Sequence, residues 1–229
     1  MHDGAHLEPP GGCALEGTRH GRFAAVTNFR GPDAGPAEPI SRGRLVGDFL
    51  LGDASGEDYV ARVADAADRY RGFNLLAGTG TGLYYFANRG DVQPRLVVPG
   101  VHALSNHLLN SPWPKVERAR AGLRELLQND DIDTGAVMDL LRDDTRAAAD
   151  ELPDTGVDAA LESELSPIFI RTEAYGTRCS TLLSIDTRGE VRFIERTFVD
   201  RHPQADKQFQ FRLSPAVSDR AGAELRSGS

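Results

Sequence analysis

Apolar positions along this chain fall first into short dense runs, then into helical stripes, then into short runs again. Phe23 to Phe29 is an apolar run that predicts a buried strand ending at Asn28. From Ser41 onward, Leu45, Val46, Phe49 and Leu50 recur at helical spacing, and the Pro/Gly stretch from Gly31 to Pro39 predicts the intervening loop. Ser55 with Asp58 three residues later predicts a capped helix start, and Val60, Val63, Ala67 and Tyr70 mark one apolar face of a helix that stops at Arg71-Gly72. Phe73 to Ala77 and Leu83 to Ala87 flank Gly78-Thr-Gly-Thr-Gly82, the pattern of a hairpin with a glycine-permitted turn. A phosphate-cradling loop is the sharper alternative for those glycines, but such a loop leads into a helix and this one leads into Leu-Tyr-Tyr-Phe.

Arg95 to Val98 and Val101 to Leu104 read as further short strands. Pro114 suits the first turn of a helix carrying Val116, Ala119, Leu123, Leu126 and Leu127. Residues 128–166 are acidic and expected to be mostly helical, with Thr134 as the cap and Val137, Met138, Leu140 and Leu141 on the buried side. Strands are expected again at Ile168 to Ile170, Thr181 to Ile185 and Val191 to Phe198, the last two joined by an Asp186 to Gly189 turn. After Asp200 the chain turns polar, so residues 1–213 are expected to form one domain and 214–229 a polar, disordered tail. Strands and hairpins, then helices, then hairpins predict a layered α+β fold with antiparallel sheets rather than alternating βαβ units.

Composition narrows the function. At 229 residues, 40% hydrophobic and 26% charged, the chain is sized for one sizeable core. A formal charge of -8 with no dense Lys/Arg cluster argues against nucleic acid as a partner. Two cysteines, Cys13 and Cys179, make neither a disulfide framework nor a metal pattern, which suits a reducing cytoplasm. No signal peptide and no apolar stretch long enough to span a membrane is found, so a soluble, cytoplasmic protein is expected. The histidines at 2, 6, 20, 102, 107 and 202 do not cluster with carboxylates at metal-ligand spacings, so no metal site is expected.

Val101 to Lys115 concentrates the candidate chemistry. An apolar run stops at Ser105-Asn106, and a Pro112-Trp113-Pro114 corner holding the only tryptophan launches the next helix. A carboxamide both donates and accepts, so Asn106 aimed into a cleft would be useful; turn chemistry also uses asparagine routinely. Tyr70, Phe73, Tyr84, Tyr85 and Phe86 could line an apolar pocket, although aromatics on hairpin strands more often form core.

Arg22 to Phe29, Ser41 to Leu45, Tyr70 to Leu75, Tyr84 to Gly90, Tyr175 to Thr181 and Phe193 to Arg196 occur in an order that resembles the transport-and-Golgi-organisation protein 2 family, also called the NRDE family. The resemblance runs from about Gly11 to Thr197. It implies an αββα sandwich of two antiparallel sheets like that of N-terminal-nucleophile hydrolases, here N-terminally incomplete. The family's usual Met-Cys start and Asn-Arg-Asp-Glu motif are missing, and Gly11 to Glu16 departs from its Gly-Gly-Thr-Trp-Leu-Gly. The absent segment would supply early strands, so the chain is expected to be less stable than an extended version. Cys13 is internal and matches a threonine position, so it is not a credible nucleophile.

By the same resemblance, Asn28, Asn106, Tyr175 and Arg178 are the candidate binding residues. Asparagine amides suit an oxyanion, and an arginine can hold a carboxylate or tune a thiolate; the plain alternative is that the asparagines close strand ends and Arg178 pairs with Glu195. Members of the family have been linked to haem trafficking, and His102 or His107 could serve as axial ligand, although the family motif requires histidine at neither place. The resemblance therefore implies a non-catalytic ligand-handling protein for haem or another apolar metabolite, with no cofactor required. The alternative is a cysteine N-terminal-nucleophile amidohydrolase acting on C–N amide bonds, if a full-length product begins with Met-Cys. An interaction role in secretory organisation ranks last, since no docking motif is evident.

Overall fold

A computed structural model describes residues 14–31, 35–80, 82–128, 132–173 and 175–214. Among the described residues, two antiparallel sheets and five α-helices make an α+β fold. The first sheet runs in chain order through β1 (Ala14–Gly17), β2 (Phe23–Asn28), β3 (Phe73–Thr79), β4 (Gly82–Ala87) and β5 (Arg95–Leu96). The second centres on β7 (Glu190–Val199), which pairs with β6 (Cys179–Ile185), β8 (His202–Pro203) and β9 (Lys207–Arg212).

Register explains why one face of the first sheet is dry. Val26 sits opposite Leu75 and Leu75 opposite Phe86, while Ala24 faces Ala77. The pleat sends these residues to one side, where α1 (Gly43–Leu51) and α2 (Gly56–Asp65) cover them. Leu45, Val46 and Phe49 from α1 and Tyr59, Val60 and Val63 from α2 complete the cluster, each burial worth about 1.5–3 kcal/mol for a large apolar side chain. Tyr59 donates from its hydroxyl to Leu45 O at 2.7 Å, joining the helices, and burial pushes its phenol well above the ordinary tyrosine range.

Side chains close the start of α2 and the end of α1. Ser55 Oγ accepts from Asp58 N at 3.0 Å, as its spacing predicts, although α2 ends at Asp65 and a 3₁₀ turn over Ala67–Arg69 completes the run to Gly72. At the end of α1, Arg22, the residue before β2, reaches over, donating to Phe49 O at 2.7 Å and Ala54 O at 2.9 Å, with its guanidinium 4.1 Å above the Phe49 ring.

The structure corrects several expectations. Val101 to Leu104 is not a strand; Asn110 instead takes Ala103 N on its Oδ1 at 3.0 Å and donates its own N–H to Ala103 O at 2.9 Å, closing an irregular loop. The described residues of the range 128–166 are mostly not helical: within them lie α4 (Thr134–Leu140), a 3₁₀ turn at Ala149–Glu151 and α5 (Ala159–Glu164), because the acidic stretches between them have no apolar stripe to bury. The cap of α4 is Asp133, whose carboxylate accepts from Gly135 N and Ala136 N, and not Thr134. Ile168 to Ile170 makes no strand, only a bridge between Arg171 and Gly176 nearby. Polar character after Asp200 hides β9, where Phe209 and Phe211 lie opposite Phe193 and Val191. α3 (Pro114–Leu126) begins at its proline as expected.

The sheets are tied where the turn after β1 meets the end of β9. Ser214 N donates to Arg19 O at 3.1 Å, and Arg19 lies 5.6 Å over the Phe211 ring. Ser214 is thus fixed, while the rest of the expected tail, Cys13, His2 and His6 fall outside the described residues.

Gly56 shows how tightly α2 sits on the sheet. A Cβ there would lie 2.8 Å from Tyr84 Cδ2 and 3.0 Å from Ala77 O. Helix propensity alone favours alanine over glycine by about 1 kcal/mol. Gly56→Ala is expected to lower the melting temperature, because contact overrides propensity; a rise would show that α2 can lift from β3 and β4.

Candidate functional site

The face of the first sheet opposite α1 and α2 carries polar side chains in a line. Thr27, Asn74 and Tyr85 come from β2, β3 and β4 and are buried, the last two completely. Tyr85 donates to Asn74 Oδ1 at 2.8 Å and Asn74 Nδ2 donates to Thr27 Oγ1 at 3.1 Å. The two ends of this line hold the loop above the sheet: Thr27 donates to Ser105 O at 2.9 Å, and Leu109 N donates to the Tyr85 hydroxyl at 3.1 Å. Burial pushes the Tyr85 phenol up, so it stays a protonated donor.

That loop brings Asn106 to Asn28. The Asn106 carboxamide donates through Nδ2 to Asn28 O at 3.1 Å, while its own backbone carbonyl takes Arg30 N. One amide hydrogen of Asn106 is therefore used to clasp the end of β2.

His107 follows directly. Its ring lies between Phe29, at 4.9 Å, and Trp113, at 5.3 Å between centroids. Ser111 donates its hydroxyl hydrogen to Leu108 O at 2.8 Å, so the 2.7 Å contact with His107 Nδ1 must have the imidazole as donor. Nε2 then keeps its lone pair, and burial lowers the imidazole pKa, favouring the neutral ring. His102 is different: Nδ1 is 2.8 Å from Asn110 Nδ2 and Nε2 is 2.9 Å from Val98 O, so both nitrogens are engaged.

Beyond Trp113, Arg30 forms an ion pair with Glu162 at 2.8 Å, and Thr155 also donates to that carboxylate. The Arg30 guanidinium lies 5.4 Å from the indole centroid, and buried Lys115, 5.9 Å from it, donates to Leu165 O at 2.8 Å. The indole is thus core on one side and part of a cationic corner on the other.

Tyr175 and Arg178 stand elsewhere, before β6. Tyr175 is exposed, its backbone folded onto Thr172, whose hydroxyl accepts Tyr175 N at 2.9 Å. Arg178 is exposed, its carbonyl accepting Phe198 N at 2.7 Å, and among the described residues it forms no ion pair with Glu195. The structure brings Asn28 and Asn106 together and Tyr175 near Arg178 in sequence, but no hydrogen bond joins the two pairs. Neighbouring Cys179 is a free, half-buried thiol whose pKa is pushed up by burial and by Glu195, the opposite of an activated nucleophile. Among the described residues no group of three or more His, Cys, Asp or Glu could hold a metal ion, and no helix is long and apolar enough to cross a membrane.

The family model described as Transport and Golgi organisation 2 matches residues 4–200. The chain belongs to that family. The Transport and Golgi organization 2 homolog of Mus musculus is 30% identical over 204 residues, covering 83% of this chain and 74% of the relative. The homologues of Homo sapiens, at 30% over 83% of this chain, and of Bos taurus, at 32% over 84%, are each covered over 74% of their length. In this Transport and Golgi organisation 2 family member, the segments that carry the resemblance include β2, β3 and β4, which supply the polar line beneath Asn106. Sequence reading missed Thr27, Asn74, Asn110 and Ser111 as site residues. A polar Asn74 inside the apolar run Phe73 to Ala77 was the available signal.

Tyr85→Phe leaves Asn74 Oδ1 and Leu109 N each without a bond, so a loss of about 1–3 kcal/mol is expected in urea unfolding. For His107 the folded pKa lies below the unfolded value of about 6.5. The unfolded chain therefore takes up this proton first as pH falls, and stability drops below about pH 6.5 until the folded ring also protonates. Unfolding curves at a series of pH values should show His107→Gln with a shallower acid-side slope than the parent; equal slopes would remove His107 from the account.

Proposed function

We propose that this chain is a non-catalytic ligand-handling protein that binds haem or another apolar metabolite at the Asn28–Asn106–His107 corner, on a sandwich of its two sheets resembling the N-terminal-nucleophile hydrolases. The observation that carries the reading is His107: an imidazole walled by Phe29 and Trp113, with Nδ1–H fixed by Ser111 and Nε2 left with its lone pair. Orientation of one ring nitrogen by a hydrogen bond on the other is how histidine ligands are prepared for a metal. Flat aromatic walls suit a planar apolar body. Within this proposal Asn106 offers its second amide hydrogen, and Tyr175 and Arg178 form a separate exposed contact. Family membership supports the same reading, and the raised thiol pKa of Cys179 speaks against covalent catalysis there. A reducing cytoplasmic setting fits that free thiol.

Haem titration of the purified chain, followed in its visible absorption, tests the proposal, with fatty-acyl ligands run in parallel. Saturable binding is expected with haem, and His107→Ala should weaken it about tenfold or more while His102→Ala leaves it unchanged. Absence of saturable binding to either class of ligand overturns the reading; release of product from an amide substrate would favour the hydrolase instead.

A further inference from the structure

Helix α5 is inside out. Its one buried residue is Glu162, while Leu161 beside it is 42% exposed and Val157, just before the helix, is 37% exposed. A helix packed on a protein body turns its apolar stripe inward and its charges to water. With that order reversed, apolar burial contributes little to holding α5 in place.

Two polar contacts hold it instead. Among the described residues no backbone–backbone hydrogen bond joins residues 153–165 to the rest of the fold. The side-chain bonds that do so run from Arg30 to Glu162 and from Lys115 Nζ to Leu165 O, each at 2.8 Å. Thr155 donates to the same carboxylate from within the segment, so Glu162 gathers the stretch onto one arginine. Pro153 at the near end and Pro167 past the far end have no N–H to give. At the far end the chain is fixed again, Ser166 Oγ accepting from Ala147 N at 2.9 Å and Phe169 N donating to Asp143 O at 2.8 Å. The two cations involved are those beside the Trp113 indole, and Arg30 N also donates to Asn106 O, next to His107.

We propose that residues 153–165 are a lid over the Trp113 wall of the His107 slot, latched through Glu162 and Leu165 O and able to lift while both sheets stay folded. The lid is a property of the unliganded chain; that it admits a ligand rests on the ligand-handling reading above. Segments with few buried apolar contacts open locally at free energies well below that of global unfolding. A buried ion pair suits a latch because its attraction and its desolvation cost largely cancel, leaving closed and open forms close in free energy. Removing Glu162 upsets that balance. The Arg30 charge then stays shielded and unpaired only while the lid is shut, so its hydration favours the open form.

Two measurements on the unliganded chain test this, so a failure to bind haem leaves the result intact. Residue-resolved hydrogen exchange should show the amides of Glu162 and Leu165, which donate to Asp158 O and Leu161 O, exchanging through a local opening insensitive to low denaturant, while those of β3 require global unfolding. Trp113 is the only tryptophan, so acrylamide quenching of its fluorescence reads the lid. Glu162→Ala should speed exchange of both α5 amides about tenfold or more and raise Trp113 quenching while the β3 amides remain protected. Leu161→Gln, in the same turn but exposed, should leave Trp113 quenching as it is. Exchange of the α5 amides only on global unfolding, unchanged Trp113 quenching in Glu162→Ala, joint loss of protection in α5 and β3, or equal quenching in Leu161→Gln and Glu162→Ala would overturn the proposal. Exchange in the unsubstituted chain decides the matter even if a variant fails to fold.

Discussion

The loop above the first sheet is tied to the strands beneath it through the hydroxyl of Tyr85. It is fully buried, donates to Asn74 and accepts from Leu109 N, so one oxygen connects the polar line across the strands to the loop they support. Buried polar groups are costly unless each partner is satisfied, and such a network tolerates only one register. A slip of β4 by one residue would turn Tyr85 to the helix side and leave Asn74 and Leu109 N unmatched. The apolar face supplies most of the free energy, while the polar face fixes where the loop sits.

From that loop the local chemistry follows by short steps. Ser105 is fixed by Thr27 and Leu109 by Tyr85, which leaves residues 106–108 a narrow choice of path. Asn106 closes onto β2, and His107 slots between an aromatic from β2's exit and the tryptophan that precedes α3. The Pro-Trp-Pro corner serves two elements: it starts a helix and fixes one wall of the imidazole slot.

Much of this was legible in the sequence where period and punctuation agree. β2, the β3–β4 hairpin, α1 to α3 and the β6–β7 hairpin all follow from apolar spacing and turn residues. Failures cluster where side chains bond the backbone instead. Val101 to Leu104 looks like a strand by hydrophobicity, yet Asn110, at a φ of 62°, offers the backbone a better partner than a neighbouring strand. The acidic stretch was misread as helix because its residues have fair propensity, whereas only Thr134–Leu140 and Ala159–Glu164 have a buried side. Of the candidate site, the family resemblance names Asn28 and Asn106 as binding residues but not the bond from the Asn106 carboxamide to the Asn28 backbone carbonyl. The tautomer of His107 could not be read either, since it depends on Ser111 donating to Leu108 O, a bond with no sequence signature.

The ion pair between Arg30 and Glu162 has a consequence for how the molecule assembles. Its partners are 132 residues apart in the chain, and both are largely shielded from water. Neither charge gains by leaving solvent until the other is already in position. The pair therefore ties the segment around Glu162 to the exit of β2 across the Trp113 corner, and losing either partner would leave the other as a shielded charge with nothing to neutralise it.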